Sequence, residues 1–154
     1  MTNSPFLSNI TSSGDLPSNL SLHMGFLLNK AAQKIKQLGD QSIESYGITT
    51  QHLGILIYLN EYSVASQIEI GKALLIDRTT MVKMIDELEK VGYVKREKDP
   101  QDRRRHKIIT TAKGSNQLPI FVQMMKDIEE EFLSPLSNTR RLQLLNDLKK
   151  LILK

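Results

Sequence analysis

The 154 residues include no cysteine, which excludes disulfides, thiolate metal sites and thiol-based redox sensing. Aromatic residues make up only 5% of the chain and Trp is absent, which argues against a protein that stacks unpaired bases. The formal net charge of +4 is too small by itself to imply a polyanionic partner. No stretch reaches the roughly twenty apolar residues of a membrane span. The opening MTNSPFLSNITSSGDLPSN has neither a basic nor an apolar leader region, so a soluble cytoplasmic protein is expected. A chain of this length is one domain, with or without helical extensions.

Residues 1–19, rich in Ser, Thr, Asn and Pro, read as a flexible N-terminal arm. From Leu20 to Ser45, Met24, Leu27, Leu28, Ala31, Ile35 and Leu38 recur at three- and four-residue steps, the period of a long amphipathic helix that Gly25 and Gly39 weaken. After a break at Tyr46-Gly47, a threonine of Ile48-Thr49-Thr50-Gln51 can cap a second helix, on which Leu53, Leu56, Ile57 and Leu59 are expected to be largely buried. Ser66-Gln67-Ile68-Glu69 fits the S-x-x-E capping box and starts a short helix ending near Leu74. Leu75-Ile76 then lead to Asp77, a cap for a helix reaching Val91. Its spacing puts Met81, Ile85 and Leu88 on one face and turns Arg78, Thr79, Thr80 and Lys83 outward. The pair has the pattern of a helix-turn-helix, which taken alone is also that of an ordinary αα-hairpin.

Gly92 suits a left-handed helix stop, and beyond it the period becomes that of strands. Tyr93–Glu97 and Lys107–Thr110 are expected to pair around the tip Lys98-Asp99-Pro100-Gln101-Asp102-Arg103-Arg104-Arg105-His106. From Lys95 to Lys107 there are seven cations and three anions, so this hairpin holds the chain's whole net excess and the remainder balances. Phosphate attraction at such a tip is strongly salt-dependent. A helix-turn-helix followed by a basic β-hairpin is a winged helix, and its natural partner is duplex DNA.

Thr111-Ala112-Lys113-Gly114 opens a helix that runs to about Leu133, with Leu118, Val122, Met125, Ile128 and Phe132 in one stripe and a kink expected at Pro119. Ser134-Pro135 ends it. A last helix, capped near Ser137 or Asn138, carries Leu142, Leu145, Leu148 and Ile152 on one line with Leu144 and Leu151 beside it. Apolar residues around so much of a terminal helix need partners on more than one side, and a second copy of the chain is the expected one; a monomer with mutually buried terminal helices is the alternative. The expected fold class is mainly α with a small β-hairpin wing. Residues 20–46 form a dimerisation helix, 47–111 a winged helix-turn-helix DNA-binding lobe and 112–154 C-terminal dimerisation helices.

The run from Asp77 to Val94, then Asp99-Pro100-Gln101-Asp102-Arg103-Arg104 and Thr111-Ala112-Lys113-Gly114, resembles the MarR family of bacterial transcription regulators. The resemblance implies a homodimer with interlocked terminal helices whose winged helices bind a pseudo-palindromic operator. It also implies repression in most members, and in many a release of DNA by a small phenolic or otherwise anionic effector held between the dimer helices and the DNA-binding lobe. Carried over by position, Thr79, Thr80 and Lys83 meet the major groove, Arg104 enters the minor groove and Asp102 braces that arginine. With the helix-turn-helix start and the rest of the wing, the candidate DNA-binding set is Ser66, Gln67, Arg78, Thr79, Thr80, Lys83, Arg103, Arg104, Arg105 and Lys107. Lys83 stands where arginine is common, and Thr110 stands where leucine is usual.

Two other classes compete with DNA binding. The basic tip could dock on an acidic protein partner, although exposed charge adds little to protein interfaces. Catalysis has no motif to rest on: His23, His52 and His106 have no metal-ligand spacing and read as surface or capping histidines, and neither a phosphate loop nor a nucleophile elbow is present. No cofactor or metal is expected. Met24, Met84, Met124 and Met125 read as core filler before they read as an adaptable pocket, so the pocket residues stay unknown.

Overall fold

A computed structural model describes residues 23–98 and 106–153. Helix α1 spans Met24–Ile43 and only its C-terminal half is buried, at Leu38, Gly39 and Ile43. A methyl group at Gly39 would come within 2.4 Å of Thr50 Cγ2 and 3.2 Å of the Met125 sulfur, so this glycine lets α1 lie tightly against the next helix and the long helix near the C-terminus. A 3-10 turn at Glu44–Tyr46 ends on Gly47 at φ +74°.

Helix α2, Thr50–Tyr62, runs through the centre and buries Leu53, Ile55, Leu56 and Leu59. Ile57, expected inside, is exposed, while Ile55 takes the interior position. So many apolar residues encircle α2 that its sequence has no single face to read. Strand β1, Val64–Ser66, was not foreseen, because three residues are too few to show an alternation. It pairs antiparallel with a strand more than forty residues further on.

Helix α3, Gln67–Leu74, begins at the expected capping box: the Ser66 hydroxyl accepts from Glu69 N–H, and Ser66 N–H donates to the Glu69 carboxylate at 2.7 Å. Helix α4, Arg78–Lys90, is capped by Asp77 and buries Met81, Met84, Ile85 and Leu88. Gly92 follows at φ +81°, the left-handed stop expected there. Strand β2, Val94–Lys98, is shifted by one residue from the expected Tyr93–Glu97, with Tyr93 turned into the core, and β3, His106–Thr110, begins one residue before the expected Lys107 and ends where expected. The sheet order is β1-β3-β2, all antiparallel, with Ala65 opposite Ile108 and Arg96 opposite Ile108 on the other side.

Helix α5, Ala112–Phe132, contains Pro119 and is seated by Thr111, whose hydroxyl accepts from Gly114 N–H at 3.1 Å and donates to the Gly92 carbonyl at 2.6 Å. Leu118 of the expected stripe is buried and the other four are half-buried. The fully buried residue is Phe121, which lay beside that stripe; its ring meets Tyr46 and Tyr93 edge-on at 5.0 and 5.6 Å. Of the methionines, Met84 is core and Met124 and Met125 pack against it, whereas Met24 is exposed.

Helix α6, Asn138–Ile152, is capped by Ser137 and buries no residue. Leu142 is 62% and Ile152 74% exposed, with Leu144, Leu145 and Leu151 also in solvent. The core therefore lies within α2, α3, α4, the sheet and the first half of α5, and it holds α4 with one face outward.

Candidate nucleic-acid interface

The outward face of α4 presents Arg78, Thr79 and Lys83, all exposed. Thr80 differs from expectation. It is half-buried, its N–H donates to Asp77 Oδ1 at 3.0 Å and its hydroxyl donates to Oδ2 at 2.6 Å. These two bonds hold the Asp77 carboxyl below its ordinary range, and they make Thr80 part of the helix cap instead of a free surface hydroxyl. Ser66 likewise serves a cap, at the start of α3.

Gln67 and Arg96 meet across the helix-turn-helix and the wing. In the amide orientation that satisfies both groups, the Gln67 carbonyl oxygen accepts from Arg96 Nη2 at 2.8 Å. Arg96 also makes three contacts with two residues of α4: Nη2 pairs with Asp86 at 2.6 Å, Nη1 pairs with Glu89, and its backbone N–H donates to Glu89 Oε1 at 2.7 Å. The arginine is 23% exposed. It was counted with the cations of the wing, yet its charge is spent on two carboxylates of α4. The clue in the sequence was the three-residue spacing of Asp86 and Glu89 on one helix face.

A second buttress involves His52, which is 5% exposed. Thr49 N–H donates to His52 Nδ1 at 3.1 Å, so the ring proton sits on Nε2 and donates to Glu87 Oε2 at 3.0 Å. Glu87 in turn lies 3.8 Å from Lys83 Nζ on the outward face. Burial pushes the His52 pKa below 6.5, with Glu87 opposing that shift only in part. His52 is thus a capping histidine, as its Thr-x-x-His spacing allows, and its second nitrogen braces α4. His23 and His106 are exposed. A third tie is Lys113, whose ammonium donates to the Val91 carbonyl at 2.6 Å and lies 4.8 Å above the Tyr93 ring.

On the wing, Lys95 pairs with Glu97 at 2.7 Å, and Lys107 sits half-buried opposite Ser66 and Glu97. The arms end at the exposed pair Lys98 and His106. Asp102, Arg103, Arg104 and Arg105 lie outside the described residues. Among the described residues no group of His, Cys, Asp and Glu could hold a metal ion, and no helix is long and apolar enough to cross a membrane.

A helix-turn-helix whose second helix is braced from behind and flanked by a three-stranded sheet is a winged helix. The MarR family profile matches residues 48–106. The transcriptional regulator HosA of Escherichia coli O111:H- is 28% identical over 116 residues, 72% of this chain and 86% of that one. The HTH-type transcriptional repressor NicR of Pseudomonas putida is 26% identical over 136 residues, covering 88% and 86%. Among solved structures, the transcriptional repressor CouR bound to a 23-mer DNA duplex superposes with a TM-score of 0.82 at 26% identity, over 90% of this chain and 99% of CouR. Residues 48–106 thus form a MarR-family lobe, and the chain as a whole is similar to DNA-binding transcriptional regulators of that family.

Proposed function

We propose that this regulator acts in the cytoplasm as a homodimer that binds a pseudo-palindromic duplex operator and represses the adjacent promoter. The observation that carries the reading is the mounting of α4: its carboxylates Asp86, Glu87 and Glu89 are tied by Arg96 and His52, while Arg78 and Thr79 are exposed and Lys83, also exposed, lies beside Glu87. Arg78 and Lys83 supply the charge that phosphates need, and Thr79 supplies a hydroxyl for a base edge or phosphate. Thr80 acts through the cap, Ser66 and Gln67 through the ordering of α3, and Arg103, Arg104, Arg105 and Lys107 through the groove beside the wing, with Asp102 bracing Arg104. A structure of CouR on DNA supports the same use of this fold.

The dimer is supported by the bare leucines of α6 and by the exposed Leu27 and Leu28 on the N-terminal half of α1. In this reading 20–46 and 112–154 join two copies and 47–111 forms each DNA-binding lobe. Two recognition helices set about one helical turn apart, ~34–36 Å, read two half-sites. A small effector that releases the DNA is carried over from the family. A cleft of about 420 Å³ between α1 and the start of α2, bordered by Lys36, Asp40, Ile48 and Thr49, is one place to look for it.

The test is a salt titration of operator binding with sedimentation run in parallel. A dimer neutralising ~6–10 phosphates gives a log K against log salt slope of roughly −5 to −9, and Arg104→Ala weakens binding by on the order of 1–3 kcal/mol. A flat salt response, or a 17.5 kDa species alone at micromolar concentration, overturns the reading.

A further inference from the structure

Leu75 closes α3 with φ +54° and ψ +41°, in the left-handed region that L side chains with a bulky Cβ substituent seldom occupy. Glycine or asparagine adopts that conformation without the steric clash. The turn itself is made by backbone: Ile76 N–H bonds to the Gly71 carbonyl at 2.9 Å, and the Ile76 side chain packs against the core. The Leu75 side chain contributes nothing there, being 93% exposed. A strained backbone and a bare apolar side chain thus coincide at one residue, and neither serves the folded chain.

Its surroundings point to a use. Leu75 borders a cleft of about 1080 Å³ between α3, the start of α4 and the wing, and it stands three residues before Arg78. Ile68, in the first turn of α3, borders the cleft too and is exposed; Lys72 lies between them in sequence. Two apolar side chains are therefore set among two cations, Lys72 and Arg78, and two carboxylates, Glu69 and Asp77, which serve the caps of α3 and α4. A duplex offers the matching pattern, with phosphates along its ridges and apolar C–H surface, thymine methyls and deoxyribose, beside them.

We propose that Leu75 is a DNA-contacting residue that lays its side chain on the apolar C–H surface of the operator beside the recognition helix, and so helps to set sequence preference. The proposal rests on the DNA-binding reading above and goes beyond it. The left-handed leucine is then held for its reach toward DNA and not for the turn.

The experiment uses the full chain and a duplex that the wild-type protein recovers from a random-sequence pool. Leu75→Gly and Leu75→Asn are compared with wild type by thermal denaturation and by fluorescence anisotropy. Both variants are expected to melt at or above the wild-type temperature, and to bind the duplex about tenfold more weakly, in keeping with loss of one apolar contact. Replacing single thymines with deoxyuridine separates the sources. If one such substitution weakens wild type but not Leu75→Gly, the contact is a thymine methyl; if none does while Leu75→Gly still binds weakly, it is deoxyribose. Folded variants that bind like wild type overturn the proposal, as does a lowered melting temperature, which would make Leu75 a structural residue. If wild type recovers no preferred duplex, the DNA-binding reading itself falls, and this proposal with it.

Discussion

Replacing Arg96 by methionine separates two roles that the same cation could play. If the guanidinium ties the wing to α4, its removal strands Asp86 and Glu89 on the helix without their partner, and Gln67 loses an acceptor role as well. The Glu89 pair is partly buried, with Arg96 23% and Glu89 31% exposed, whereas Asp86 is 59% exposed, so most of the strength lies in the Glu89 pair and screening takes much of the other. A loss of about 1–3 kcal/mol follows, which in a protein of this size lowers the melting temperature by roughly 3–10 °C. Operator affinity falls too, because α4 is less firmly held. The slope of log K against log salt stays unchanged, since no phosphate contact has been removed. Were Arg96 a phosphate contact, the slope would shrink by ~0.9 for each protomer. Thermal denaturation and anisotropy at several salt concentrations read both quantities. An unchanged melting temperature with a shallower slope would refute the structural role.

Further outcomes follow from single residues. Because burial depresses the His52 pKa below 6.5, the unfolded chain takes up that proton first as pH falls. The contribution of His52 to stability is therefore complete above about pH 6.5 and declines as pH drops toward the folded-state pKa; His52→Gln should flatten the melting temperature across that window, and an equal slope in both proteins would count against it. The Thr110 hydroxyl is buried with no hydrogen-bond partner among the described residues. Thr110→Val keeps the shape and should stabilise by about 1 kcal/mol in urea denaturation, whereas a loss would mean that the hydroxyl has a partner. Leu142→Glu together with Ile152→Glu on α6 should give a monomer in sedimentation with the lobe still folded, and a persisting dimer would place the interface elsewhere.

Much of the fold was legible because its signals are local. The Ser66 and Asp77 caps, the left-handed Gly92 and the Thr111 cap of α5 each depend on residues within a turn of one another, and each sits where the sequence placed it. What escaped depends on distant partners. Strand β1 exists because β3 lies beside it, and Phe121 is buried because Tyr46 and Tyr93 close around it. The interface shows the same division. The outward direction of Arg78, Thr79 and Lys83 follows from helical period, but period cannot tell that the Thr80 hydroxyl is committed to Asp77. Nor does a count of cations reveal which are already paired: Arg96 belongs to α4 and Lys95 to Glu97, so the wing offers DNA less charge than its composition implies.

The most direct measurement is a selection from random duplex DNA with the full chain, followed by footprinting of the recovered sequence. A dimeric winged helix enriches a pseudo-palindrome and protects two half-sites whose centres lie about one helical turn, ~34–36 Å, apart. A pool that emerges with no shared sequence, or a single protected half-site bound by one copy, would contradict a paired reading of the double helix.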